Sequence, residues 1–222
     1  MNQAEEFHVI RPEVDSTLGL FEGSPALAYA EGTTLFKQGS IAREVYCLEK
    51  GLVKITFLDP AGEEVIVDLC SAQGTLIGDA CSVLGRHYIA ATVVTRKTLL
   101  RRIPAVSFID QIRQDPETSW SLHNKHCKLL AELLDRSAQL GYLSVRQRVE
   151  QLIWNLATAC ELVQTSKGHR MQLPLRYRDL AQLITISPEH LCRVLGVIEK
   201  DGLIRREKGW LYLVRRDDLF HQ

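Results

Sequence analysis

The run Ser187-Pro188-Glu189-His190-Leu191-Cys192-Arg193 holds a carboxylate and a guanidinium four positions apart. On a helix that spacing puts both on one face. An arginine there can give two parallel N–H bonds to guanine, and a glutamate can accept from the amino group of cytosine. The same pair could be a plain ion pair on a solvated helix, so the neighbouring residues must decide. Ser187 is placed to accept a backbone N–H as an N-cap, and Pro188 falls at the first helical position, where no donor is lost. Leu191, Val194, Leu195 and Ile198 recur at i, i+3, i+4 and i+7 and predict the core side, leaving Glu189, His190, Cys192, Arg193 and Gly196 outside.

That helix needs a support. Arg178 to Leu183 predicts a short helix before it and Thr185-Ile186 a tight turn, and two helices joined by three or four residues form a helix-turn-helix. Behind it, residues 203–207 and 210–214 flank Lys208-Gly209, a hairpin wing whose Arg205, Arg206 and Lys208 could touch phosphates. From Val145 onward the chain carries 13 Lys/Arg against 9 Asp/Glu, although the whole chain is balanced at 27 each. The basic half is therefore the carboxy-terminal one.

The rest of the 222 residues divides by pattern. Short runs rich in Val, Ile and Thr, separated by glycine corners at Gly39, Gly51, Gly62, Gly74 and Gly85, predict a β-sandwich or roll over 26–115. An uninterrupted stripe through Leu122, Leu129, Leu133 and Leu140 predicts a long helix over 116–143, whose apolar side is most economically a dimer seam. Residues 1–25 are read as an amino-terminal segment and 144–222 as the winged helix-turn-helix domain. The fold class is α+β. No apolar run is long enough for a membrane helix, and MNQAEEFHVI lacks the basic start of a signal peptide, so a cytoplasmic protein is expected. Six dispersed cysteines with no CxxC pair suggest neither a metal site nor a disulfide framework. Phosphate loops, paired acids and activated nucleophiles are absent, which speaks against an enzyme.

The order β-roll, long helix, winged helix-turn-helix resembles the cyclic-AMP receptor protein/FNR family of bacterial transcription regulators over nearly the whole chain. The most specific match is Glu189, three residues, Arg193. The resemblance implies a homodimer on double-stranded DNA with a near-palindromic operator. It implies base reading by Glu189 and Arg193, backbone contacts from Ser187 and His190, and RNA polymerase as a partner. Two departures stand in the DNA-reading half. Thr185 stands where the family often has glycine in the turn, and Pro188 replaces a polar base-reading residue of some members.

The sensory half departs further. Nucleotide-binding members carry Gly-Glu followed about ten residues later by Arg-Ser or Arg-Thr. Here Gly78-Asp79 matches the first pair with a shorter carboxylate, whereas Ile89-Ala90 stands at the second, and Arg86 is three positions early. Leu133 and Leu134 fall where cyclic-AMP binders place hydroxyl residues. An anion beside Asp79 with no cation would cost several kcal/mol in desolvation. The expectation is a degenerate pocket, formed by Gly78, Asp79, Ile89, Ala90, Leu133 and Leu134, that is not controlled by cyclic AMP. No cofactor is predicted. The alternative is a sensor of haem or an apolar ligand whose winged helix docks a protein. His87, His123, His126, Cys81 and Cys127 have the residue types for haem but match no ligation pattern, and the first cysteine, Cys47, comes too late for an iron–sulfur cluster.

Overall fold

A computed structural model describes residues 10–11, 16–71, 73–160, 162–166, 168–173 and 175–214. Residues 1–9 and 12–15 of the expected amino-terminal segment, and 215–222 at the end of the winged domain, lie outside the described residues. The described residues form two compact units, and the division between them falls after Leu133, inside one helix.

In the first unit, strands β1 (Ile10–Arg11), β2 (Leu27–Tyr29), β3 (Thr34–Phe36), β4 (Glu44–Lys50), β5 (Val53–Leu58), β6 (Glu64–Cys70) and β7 (Leu76–Ile77) are followed by helix α1 (Asp79–Leu84) and strands β8 (Ala90–Val93) and β9 (Thr98–Pro104). They make two sheets, ordered β1-β6-β5-β8-β3 and β2-β9-β4-β7. Alternation turns Val53, Ile55, Ala91 and Val93 of one sheet, with Tyr46, Leu48 and Leu100 of the other, into buried positions, and these fill the core of the roll. The strands sit where the β-branched runs predict them. β1 pairs parallel with β6, far from its neighbours in sequence, and no local pattern announces it.

Helix α2 (Ala105–Gln114) leads into α3 (Pro116–Tyr142), 27 residues long. Leu122 is 5% exposed and packs with Phe21, Val45, Cys47 and Phe108 in a second core cluster of the roll unit. The expected dimer stripe is thus corrected at its first member. Leu122 serves the roll, because a helix laid against a sheet buries whichever face touches it. Leu130 and Leu134 stay 59% and 63% exposed, on a different face.

The second unit holds α4 (Val145–Ala159), β10 (Val163–Thr165), β11 (Gly168–Gln172), α5 (Tyr177–Leu183), α6 (Pro188–Lys200), β12 (Ile204–Glu207) and β13 (Trp210–Leu213). Ser144 starts α4 with a capping box, accepting from the Gln147 N–H while Gln147 accepts from the Ser144 N–H. Val149, Leu152, Ile153, Leu156 and Ala157 are all buried, the face that their spacing predicts. β10 and β11, missed in the sequence because they are short and polar, complete a four-stranded sheet with the wing, ordered β10-β11-β13-β12. Among the described residues no helix is long and apolar enough to cross a membrane.

Candidate nucleic-acid interface and effector pocket

Helix α5 ends in a two-bond cap. The Ile186 N–H donates to Ala181 O at 3.0 Å and the Thr185 N–H to Gln182 O at 3.0 Å. This is the Schellman arrangement, which requires a left-handed residue, and Thr185 supplies it at φ 58°. A β-branched side chain is disfavoured there, so the turn is strained as its sequence suggests. Thr185→Gly is therefore expected to stabilise the protein by about 1 kcal/mol, read as a raised urea midpoint at unchanged slope. A lowered midpoint would show that the threonine is held by contacts outweighing its strain.

After the turn, Ser187 caps α6, its hydroxyl accepting from the His190 N–H at 3.2 Å, with Pro188 in the first turn. Leu191, Leu195 and Ile198 are at most 4% exposed, whereas Glu189, Cys192 and Arg193 are exposed and His190 is half-buried. Its own backbone N–H, the Ser187 hydroxyl and the nearby Arg193 hold the Glu189 carboxyl below its ordinary value, so it is a ready acceptor at neutral pH.

Sequence reasoning missed the brace beneath this motif. Arg148 of α4 is buried and donates from Nη1 to Ile184 O at 2.6 Å, gripping the carbonyl where α5 ends. Arg146 pairs with Glu150 at 2.8 Å and with Asp201 at 2.6 Å, joining α4 to the far end of α6. An arginine on a surface-looking helical pattern gives no sign in sequence that its partner is a carbonyl 36 residues away.

In the wing, Lys208 and Gly209 both have positive φ, 49° and 84°, the two-residue hairpin turn whose twist matches the strands. Lys208 and Arg205 are exposed, with Arg205 3.6 Å from Glu207. Arg206 corrects its expectation as a free phosphate contact. Its guanidinium donates from Nε and Nη2 to Glu199 Oε2, at 3.1 and 3.0 Å, and its N–H to Glu199 Oε1 at 2.8 Å. It clamps the wing to α6, and Glu199 raises its already high pKa against the cost of partial burial.

In the roll, Gly78 precedes α1 at φ 87°. A Cβ there would lie 3.2 Å from a Phe36 ring carbon and 3.3 Å from a His87 ring carbon. Those two rings stack at 3.7 Å, 6° from parallel, and His87 is only 2% exposed. Burial pushes its pKa down, so the ring is neutral at pH 7. Ile89 packs on the same core cluster, Ala90 is half-buried in β8, and Arg86 is exposed. Leu133 and Leu134 are 45% and 63% exposed. Three of the haem-type donors are already engaged or covered: His87 would have to leave its stack, Cys81 is 1% exposed, and His126 is paired with Asp79.

Asp79 does find a partner. Its carboxylate lies 3.0 Å from Nε2 of His126 on α3. Burial pushes Asp79 up, but the hydrogen bond and charge of His126, the charge of Lys125 and the Ala80 N–H together leave it below its ordinary 3.8. Its stabilising effect is therefore complete above that value and lost as pH falls through the lower folded one. Asp79→Asn is expected to cost about 1–2 kcal/mol near neutrality. The gap to the parent in urea midpoint should stay level down to about pH 5 and close in stronger acid. A gap independent of pH would mean that shape rather than charge matters.

Residues 26–115 match the family model of the cyclic nucleotide-binding domain, and residues 147–221 that of the Crp-like helix-turn-helix domain. Joined on one chain they define a DNA-binding transcription regulator, not an enzyme. The sequence is 26% identical over 197 residues to the cAMP-activated global transcriptional regulator CRP of Salmonella typhimurium, spanning 87% of this chain and 92% of that protein. It is also 26% identical to the Cyclic AMP receptor protein of Thermus thermophilus, over 91% and 89% of the two chains. The structure of FixK2 from Bradyrhizobium japonicum superposes with a TM-score of 0.73 at 19% identity, covering 88% of this chain and 95% of that one. The chain belongs to the Crp/Fnr family of regulators.

Proposed function

We propose that the chain acts in the cytoplasm as a homodimer. It reads a near-palindromic operator through Glu189 and Arg193, engages RNA polymerase there, and is not controlled by cyclic AMP. The observation that carries the DNA reading is the split of α6 into a buried apolar face and an exposed amino-terminal face bearing both residues. Ser187 and His190, with Arg205 and Lys208 of the wing, lie near the phosphates, and Arg206 supports the wing instead. The dimer reading is supported by an exposed stripe on α3. Trp120, His123, Cys127, Leu130 and Leu134 follow three- and four-residue steps, and Trp120, Leu130 and Leu134 are 65%, 59% and 63% exposed. Such a stripe is buried by packing on its twin.

Independence from cyclic AMP is supported by three features. Ile89 and Ala90 offer no cation to a phosphate, Asp79 already has His126, and the Phe36–His87 stack lies against the bare face of Gly78. Operator binding by fluorescence anisotropy, with and without cyclic AMP and at rising salt, tests the proposal. Affinity should fall steeply with salt, because phosphate contacts release counterions, and should not respond to the nucleotide. Micromolar calorimetric binding of cyclic AMP that also tightens the operator would overturn the second part, and salt-independent binding the first.

A further inference from the structure

On the exposed face of α3, Cys127 Sγ lies 3.6 Å from Nε2 of His123, one turn earlier. Both side chains are exposed, and the indole of Trp120 stacks over the His123 ring at 5.7 Å between centroids, which limits its rotation. A tetrahedral ion bonded to sulfur at about 2.3 Å and to nitrogen at about 2.0 Å separates those two donors by about 3.5 Å. The pair is thus already spaced as two ligands of one metal ion. Among the described residues no single-chain group of three or more His, Cys, Asp or Glu could hold a metal, so within one protomer the set is half complete.

The missing half follows from position. Trp120, His123, Cys127, Leu130 and Leu134 fall on successive three- and four-residue steps, the a and d positions of a heptad. In a two-fold parallel pair every a and d residue meets its own copy across the axis, with the helix axes about 8–10 Å apart. His123 and Cys127 occupy adjacent layers, so two copies place two imidazoles and two thiols around one point. The usual occupant of an a or d layer is aliphatic, as at Leu130 and Leu134. A histidine followed by a cysteine is a departure that needs a reason.

We infer that the two copies of His123 and Cys127 together form a tetrahedral His2Cys2 site for a zinc-type divalent cation at the dimer seam. The inference rests on the homodimer reading. Each thiol gives its proton to solvent on binding, each neutral imidazole coordinates through Nε2, and no redox step is involved. The site would tie the amino-terminal half of the seam while Leu130 and Leu134 hold the rest by packing.

The test uses the purified full-length protein, with elemental analysis for zinc and titration of the metal-free form with cobalt(II), and with sedimentation on every sample. Expected are one zinc per two chains and, with cobalt, the visible bands of a tetrahedral centre with a thiolate-to-metal band. Cys127→Ser and His123→Ala should each abolish the spectrum and remain dimeric. Leu130→Asp/Leu134→Asp should yield monomers that also lack it. A monomeric parent would overturn the dimer reading and the site with it. A dimeric parent with neither zinc nor a cobalt spectrum overturns the site alone. So does a dimer joined by a Cys127–Cys127 disulfide on non-reducing gels, or a spectrum that survives Cys127→Ser.

Discussion

Arg193→Ala should weaken operator binding by about 1–3 kcal/mol for each half-site and relax preference at a single base pair in each. Arg193 is exposed, one helical turn beyond Glu189. Its long planar head can reach a base edge only from the amino-terminal part of α6, where the Ser187 cap and Pro188 fix the first turn. Two half-sites about one helical turn apart would double the loss in a dimer. Removing an exposed residue should leave the stability read from urea unfolding within about 0.5 kcal/mol of the parent. Anisotropy against a panel of operators substituted one base pair at a time is the measurement. An equal loss on every sequence would make Arg193 a phosphate contact and sink the base-reading assignment.

The opposite pattern is expected of Arg148→Met. The buried guanidinium is the partner of the Ile184 carbonyl, and Ile184 itself is 0% exposed. Methionine roughly fills the space but donates nothing, which leaves a carbonyl without water or partner at a cost of about 2–3 kcal/mol. The winged domain should unfold at lower urea, and its operator preference, measured well below the transition, should be unchanged base for base. Loss of base preference in the folded variant would mean that Arg148 sets the angle of α6 as well as its stability. Read together, the two variants separate a residue that meets the ligand from one that holds the frame.

How much of this was legible in the sequence depends on range. Ser187 and Pro188 start α6 where local rules put them, and the Lys208-Gly209 corner makes the expected hairpin, because caps and two-residue turns are decided by a few adjacent residues. The exposed side of α6, which carries Glu189 and Arg193, was legible for the same reason. Arg148 and Arg206 were not, since each finds a partner through the fold, one at a carbonyl 36 residues away and the other at Glu199 across the wing. Leu122 shows a second kind of miss. Its spacing fitted a stripe with Leu129, Leu133 and Leu140, but a stripe states only that some surface covers it, and the roll core is what covers Leu122. The Asp79–His126 pair was invisible as a pair because 47 residues separate its members, though each was noted singly.

The two faces of α6 also differ in what selection can do with them. Leu191, Leu195 and Ile198 are locked into the core, so most changes there cost folding. Glu189, Cys192 and Arg193 stand clear of it, and substitutions at such positions leave stability nearly untouched. On the proposed reading of DNA by this face, a lineage can walk from one operator to another by single steps that each remain foldable. The address is then written in a layer that can be rewritten without rebuilding the page beneath it.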